Sequence, residues 1–579
     1  MRSAASAASS PTPPVSVLRR VARRSALGVA VGGVAFALVE NADEAYLPSN
    51  VSGLLRSFRA LRCFTTMAVD YKFTFWRYPE LHDLPYGYSG AVADKSAMGV
   101  HELIRHELHA RNAKRLLNLL QRNKGLYIKV GQAMSSMAHM LPTEYTSTLR
   151  VLQDHAPQTP FATVRQTLES DLGRPLEELF AHFDEKPIAS ASLAQVHRAT
   201  THDGRVCAVK VQHPGLREQF PGDMFVHKWT LLTADYLFKD FELAWSHDEI
   251  QENLSRELDF AVEASNGMRT RANFQATSQG RMYVPLVHHD LSSTKVLTME
   301  FIDGVKITDV AAIRALGLDV AEAMRNTIRG VAEQIFLFGF VHCDPHAGNI
   351  LVRHQPDKPG AVQIVLLDHG LVREMQESTR LNFCRMWEAL VLQNDKEVIA
   401  ASTALGVVEW ELFAMILLMR PYRGLVGFTE RANSTERRRM ARKFKDEQGK
   451  VYQLMKAMPR ELLLILRNQN YIRYLDRELG SPVNRYTTMA RVAVQGLSFH
   501  PSPALPPGNA AAAQLAMEHR PNTIFSRWHH AMQFEFALVG FALYYWLLAK
   551  ALDFGRAYGD DHTKEQINML DKAIEDSMA

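Results

Sequence analysis

The sequence predicts an α+β fold of two lobes, a β-rich one followed by a helical one. Three observations lead there. Residues 186–213 and 282–301 carry short β-rich runs closed by the turn-forming pairs Asp203-Gly204 and Asp303-Gly304. After residue 305 the apolar pattern is mainly helical, interrupted by two apolar strands around 342–344 and 349–368. A chain of 579 residues, 47% apolar, is long enough for roughly two to four domains with a sizeable core.

In chain order, residues 1–40 read as a mitochondrial targeting segment or short anchor. Arg2, Arg19, Arg20, Arg23 and Arg24 stand there among Ser and Ala, with no acid before Glu40. The unbroken run of 14 small or apolar residues at 26–39 falls short of the roughly 20 that span a bilayer. It fits the apolar part of a transit peptide and a short membrane anchor equally. Residues 41–98 read as a linker, and 99–185 as a helical extension with helices at 99–123 and 125–139, the second ended by Pro142. Residues 186–305 form the β-rich lobe, with strands at 206–212, 282–287 and 295–301 and helical patterns from 222 to 275. Residues 306–499 are the helical lobe, 500–522 a Pro-rich loop, and 523–579 C-terminal helices. Two surface features stay open between two readings. The apolar run 536–549 fits a helix buried in the second lobe or one that contacts a membrane; the basic stretch 437–445 fits a solvated face or a contact with anionic lipid.

Charge and cysteines narrow the function classes. Setting the five N-terminal arginines aside leaves 61 basic against 62 acidic residues, without the basic field that nucleic acid demands. Cys63, Cys207, Cys343 and Cys384 are scattered with no CxxC pair, which argues against a disulfide framework and fits a reducing compartment.

The chemistry centres on His342-Cys343-Asp344-Pro345-His346-Ala347-Gly348-Asn349, which has the H-x-D-x-x-x-x-N spacing of a kinase catalytic loop. An Asp there can accept the proton of an attacking hydroxyl, and an Asn five residues on can reach a metal ion. The apolar strand at 364–367 then delivers Asp368-His369-Gly370, where a carboxylate is well placed to hold Mg²⁺ against ATP phosphates. Upstream, Val206-Cys207-Ala208-Val209-Lys210 resembles the V-A-I-K strand whose lysine contacts the α- and β-phosphates. In place of a glycine-rich phosphate loop stands Ala189-Ser190-Ala191-Ser192-Leu193-Ala194, small in profile but stiffer than glycine would be. The literal triplet Asp553-Phe554-Gly555 follows a helix rather than a strand and reads as a helix end. His101 and His106 are five apart, about 140° around a helix, so they do not make a zincin pair.

With Lys129-Val130-Gly131-Gln132 and the following Leu141-Pro142-Thr143-Glu144-Tyr145, these residues closely resemble the UbiB or aarF-domain-containing atypical kinase family. Its mitochondrial animal paralogues with DHG in place of DFG look most similar. The resemblance covers roughly residues 100–400. It implies a two-lobed protein-kinase-like fold with an N-terminal KxGQ extension, and ATP and Mg²⁺ as cofactors. It makes Lys210 the phosphate lysine, Glu263 its ion-pair partner and Asp344 the catalytic base. Asn349 and Asp368 become metal ligands, and Ala189, Ser190, Ala191 and Ser192 the nucleotide loop. Lys129, Gln132, Glu257 and Asp259 become a gate over the site where a protein kinase binds peptide. Ser190 stands where the family usually has alanine, and His369 replaces the switching phenylalanine.

Cys343 occupies the place of the arginine that receives a phosphorylated activation loop, and a helical pattern resumes at about 375, with no A-P-E. Phosphorylation of peptides in the ordinary way is therefore not expected. The resemblance implies a lipid or quinone-like small molecule instead, in coenzyme Q-related metabolism at a mitochondrial membrane. Two functions follow: an Mg-ATP-dependent kinase or ATPase, and an ATP-binding pseudokinase scaffold.

Overall fold

A computed structural model of the chain describes residues 49–82, 99–135, 141–153, 158–237, 246–419, 447–499 and 531–540, with single positions at 244, 422, 543, 547 and 550. The targeting segment, the basic stretch 437–445, the Pro-rich loop and the Asp553-Phe554-Gly555 triplet lie outside these residues.

The extension is built from α1 (Ser49–Arg77), α2 (Val100–Asn123), α3 (Gly125–Ser135) and α4 (Thr143–Leu149). Its core joins Ala60, Leu116, Leu120, Ile128, Leu149 and Leu152. Gly131 sits where a Cβ would come within 2.4 Å of the Leu152 side chain and 2.7 Å of Leu120, so only glycine lets α3 pack this closely. The linker expected at 41–98 thus contains a 29-residue helix. The inward side of α1 is partly polar and small, with Ser52, Arg56 and Ala60 buried, which blurs its apolar stripe in the sequence.

The first lobe begins with α5 (Phe161–Leu172). Strands β1 (His182–Phe183), β2 (Ala189–Ser190), β3 (Ala194–Thr200) and β4 (Val206–Gln212) follow. Three helices come next: α6 (Leu216–Leu237), α7 (Ser246–Glu257) and α8 (Phe260–Thr277). Then come β5 (Met282–Tyr283) and β6 (Val296–Glu300). The antiparallel sheet runs β1-β3-β4-β6, with β2 pairing on β3. Alternation along β4 sends Cys207, Val209 and Val211 into the core with Val164, Leu168 and Val296, and leaves Lys210 facing the other side. A buried Arg56–Asp223 pair at 2.5 Å ties α1 to α6.

The second lobe contains β7 (Val305–Lys306), α9 (Val320–Ala332), β8 (Phe340–His342), β9 (Ile350–Gln355), β10 (Lys358–Leu366) and β11 (Val372–Glu374). It is completed by α10 (Glu377–Val391), α11 (Arg460–Glu478) and α12 (Arg485–Leu497) around the largest apolar core. Two expectations shift here. The single strand expected over 349–368 is the hairpin β9–β10, because Pro356 and Asp357 form a turn. The expected strand at 282–287 shrinks to β5, which pairs parallel with β10 and so belongs to the second lobe's sheet.

Candidate active site

The site lies where the two lobes meet, and each acid reaches it from the end of a short buried strand. A π-helical turn, Glu333–Phe338, continues α9 and leads into β8. Its Gln334 side chain accepts the His342 backbone N–H at 2.8 Å, which fixes where the strand ends. Asp344 follows two residues later. β10 ends at Leu366, and Asp368 follows it.

His342 joins the two acid-bearing segments. Its Nε2 donates to the Asp368 carbonyl oxygen, and its Nδ1 accepts the Asp344 backbone N–H at 3.2 Å. Acceptance at Nδ1 needs the neutral ring, and burial lowers its pKa accordingly, against the pull of Asp368 and Asp344. His369 packs edge-on to it, 5.6 Å between ring centroids, and lies against Gly267 of α8. Burial, then the neighbouring His342, pushes the His369 pKa down to about 3. Cys343 points into the core, where burial pushes its thiol up to about 12. It is a packed side chain and no substitute for a phosphate-receiving arginine.

The residues expected at the nucleotide come together. Lys210 Nζ lies 2.8 Å from both carboxylate oxygens of Glu263 on α8, and 3.0 Å from Asp368 Oδ2. Burial alone would lower the lysine pKa; Asp368 and Glu263 outweigh it and hold Lys210 charged. Burial would raise the Asp368 pKa, but Lys210, the Gly370 N–H at 2.9 Å, Lys129 and His342 hold it well below the ordinary range. Asn349 donates from Nδ2 to the Asp344 carbonyl at 3.3 Å, which leaves its amide oxygen as the end for a cation. Among the described residues no group of three or more His, Cys, Asp or Glu could hold a metal. Two oxygen donors, completed by phosphate and water, are nevertheless what Mg²⁺ commonly takes, so the residues fit that ion.

The Ala/Ser loop is a tight hairpin. The Ala191 N–H donates to Ala194 O at 2.8 Å, and none of residues 189–196 has a positive φ, so the loop needs no glycine. It is braced from outside: Gln195 receives the Thr159 N–H at 2.7 Å, and His213 bridges Thr159 Oγ1 at 2.7 Å and the Ala191 carbonyl at 3.0 Å.

Three of the four expected gate residues also reach the site. Lys129 Nζ lies 2.7 Å from Glu257 and 4.0 Å from Asp344 Oδ2. Gln132 donates to the Leu152 carbonyl at 2.8 Å and accepts from Ser192 Oγ at 3.5 Å, touching the loop itself. Asp259 goes elsewhere. It caps α8 by accepting the Ala261 N–H at 3.1 Å and pairs with Arg217 at 3.7 Å. The i, i+4 relation with Glu263 does not give a shared helix face, because Asp259 stands before the helix begins.

Sequence reasoning missed α11. Arg467 Nη2 lies 3.3 Å from Asp344 Oδ1, and the fully buried Asn468 donates to the His342 carbonyl at 2.6 Å. The signal was a polar residue in an apolar stripe: Asn468 falls between Ile465 and Ile472 on the face α11 buries.

A lysine–glutamate pair between a central strand and a helix, with two acids following short strands across the cleft, defines a protein-kinase-like fold. Comparison with known proteins agrees: the ABC1 atypical kinase-like domain matches residues 151–402. A Dictyostelium discoideum protein named "Probable serine/threonine-protein kinase abkD" is 40% identical over 542 residues, 93% of this chain and 73% of the relative. The Mus musculus "AarF domain-containing protein kinase 1" is 36% identical over 460 residues, 79% of this chain and 84% of the relative. Among solved structures, the Rio2 kinase–ADP/Mg²⁺–phosphoaspartate complex from Chaetomium thermophilum covers 62% of this chain and 94% of its own, at 11% identity and a TM-score of 0.22. The chain belongs to the ABC1/AarF family of atypical kinase-like proteins.

Proposed function

We propose that the protein is an Mg-ATP-dependent atypical kinase or ATPase that acts on a lipid or quinone-like small molecule in mitochondrial, coenzyme Q-related metabolism. The observation that carries the nucleotide part is the contact of Lys210 with Glu263 at 2.8 Å and Asp368 at 3.0 Å, across the cleft from Asp344. Lys210 would bind the α- and β-phosphates, with Glu263 holding it extended. Asp368 and Asn349 would hold Mg²⁺, which draws charge from the phosphates. Asp344, kept ionised by Arg467 and Lys129 against the effect of burial, would orient the attacking hydroxyl and accept its proton.

Two observations support a small acceptor over a peptide. β11 pairs with β8 directly after Gly370, and α10 starts at Glu377, so no long activation segment intervenes. The extension also brings Lys129 beside Asp344, where a peptide would have to lie. The acid-free, arginine-rich start of the chain supports a mitochondrial address. Support for a membrane partner comes from α1 and α6. α1 exposes Leu54, Leu61, Val69, Phe73 and Trp76, and α6, which packs on it, exposes Phe225, Trp229 and Tyr236. Among the described residues no helix is long and apolar enough to cross a membrane.

The second reading, a nucleotide-binding pseudokinase scaffold, is favoured by Lys129 standing at Asp344. Thermal stabilisation by Mg-ATP, compared between wild type and Asp368→Asn, tests the site: the wild type rises and the variant does not. Phosphate release in the presence of quinone-containing liposomes, lost in Asp344→Asn, supports the enzyme. Binding with no turnover in any lipid leaves the scaffold. Import into isolated mitochondria with and without residues 1–40 tests the address.

A further inference from the structure

The loop 342–349 contains no lysine or arginine, yet transfer of a phosphoryl group needs positive charge beside the phosphorus. Lys210 is held between Glu263 and Asp368, and Lys129 is bound to Glu257. The remaining cation at the acid comes from α11, 123 residues downstream of Asp344 and beyond the matched family segment. Among the described residues the only ion pair of Arg467 is with Asp344. Its guanidinium lies 5.7 Å from the centre of the Tyr471 ring, and its Nε is buried without a hydrogen-bond partner. A quarter of the side chain is exposed (26%), and Nη2 also donates to the Tyr471 hydroxyl at 3.5 Å. Asn468 fixes the helix beneath it through the His342 carbonyl.

We propose that Arg467 is the group that stabilises the transferring phosphoryl, turning from Asp344 to the γ-phosphate oxygens when an acceptor hydroxyl takes its place at the carboxylate. This rests on the Mg-ATP reading above. In the step, the acceptor oxygen forms its bond to the γ-phosphorus. The bond from that phosphorus to the bridging oxygen of ADP breaks, and its electron pair leaves with ADP. The acceptor's proton passes to Asp344. Arg467 gains and loses no proton; its planar fork offers N–H donors to the equatorial oxygens as their charge spreads. The same arm at rest holds Asp344 ionised and covers it.

The test uses the full chain, with ADP·Mg²⁺ and ADP·Mg²⁺·aluminium fluoride as probes of ground and transition state. Wild type binds the fluoride complex more tightly than ADP. Arg467→Ala and Arg467→Lys lose at least about tenfold of that gain and keep ADP affinity within about twofold. Added guanidinium restores phosphate release to Arg467→Ala but not to Asp344→Asn. If both complexes weaken equally, or guanidinium restores nothing, Arg467 merely anchors α11 and the inference is wrong. Should Arg467→Ala fail to fold, Arg467→Lys decides, since retention of the full gain overturns the role of the planar fork. A wild type that binds ADP with no gain from fluoride overturns this inference alone; one that binds neither complex overturns the Mg-ATP reading with it.

Discussion

Two half-buried lysines stand in this cleft, each with a glutamate and an aspartate, and they are held differently. Lys210 is gripped at 2.8 Å by both oxygens of Glu263 and at 3.0 Å by Asp368. Lys129 has one short contact, Glu257 at 2.7 Å, and stands 4.0 Å from Asp344. The glutamates differ as well. Glu263 lies in the first turn of α8, where the helix dipole favours a carboxylate; Glu257 is the last residue of α7, where it does not. The Lys210 corner is a fixed part of the fold. The Lys129 corner joins the extension to a helix end by one short ion pair beside the apolar contact of Leu126 and Val130 with Leu254 and Leu258, and its contact with Asp344 is longer.

The largest expected effect separates the two corners by function. Lys210→Ala abolishes Mg-ATP binding by calorimetry, whereas Lys129→Ala keeps it within a few-fold. Equal losses would erase the distinction. At the acids, Asp344→Asn lowers turnover by about 10²–10⁴-fold with ATP affinity retained, as loss of a general base does. Asp368→Asn loses Mg-dependent binding first.

Stability sharpens the comparison next. Lys129→Met leaves Glu257 buried without its cation and costs about 3 kcal/mol in chemical denaturation. The double variant Lys129→Met/Glu257→Gln recovers most of that loss; a double variant as unstable as the single shows that the two residues are not coupled.

The pH dependence is smaller. Burial, then repulsion from Asp368, pushes the Glu263 carboxyl up from 4.5 to about 7 against the pull of Lys210, so below about pH 7 the folded chain keeps a proton that the unfolded chain has released, and the ion pair with Lys210 is complete only above it. Stability from this group is present below pH 4.5 and is lost as pH rises through about 7. Asp368 runs the other way: its depressed pKa gives stability above the ordinary 3.8 that is lost as pH falls. Thermal midpoints of Glu263→Gln therefore fall less between pH 4.5 and 7 than those of wild type; parallel curves refute the assignment. Smallest is Asp259→Ala. As a helix cap it costs about 1 kcal/mol and leaves ATP binding unchanged, and an effect on binding returns it to the gate.

Much of the first corner was legible in the sequence. The run Val206–Gln212 is rich in β-branched residues, so the strand could be read from composition, while the structure buries Cys207, Val209 and Val211 and turns Lys210 to the other side. The spacing from His342 to Asn349 fixed the loop, and the apolar residues before Asp368 fixed the strand that feeds it. Less was legible at the second. Glu257 and Asp259 are two residues apart and look like one motif, but a helix ends between them and another begins, which sends their side chains to different partners. α1 escaped notice because its buried side carries arginine, serine and alanine, and the arginine is buried through its pair with Asp223 of a distant helix.

By itself the sequence determined the two-lobed α+β fold, the lysine on its strand and the two acids in their order, because these depend on local periodicity and short spacing; the kinase-like form of the fold was what the family resemblance implied. Only the tertiary structure decided which cation meets which acid. Arg467 reaches Asp344 across 123 residues, Lys129 takes Glu257 over Asp259, and β5 joins the second lobe's sheet. Those pairings arise from helices brought together by burial of their apolar faces, and spacing along the chain carries no record of them.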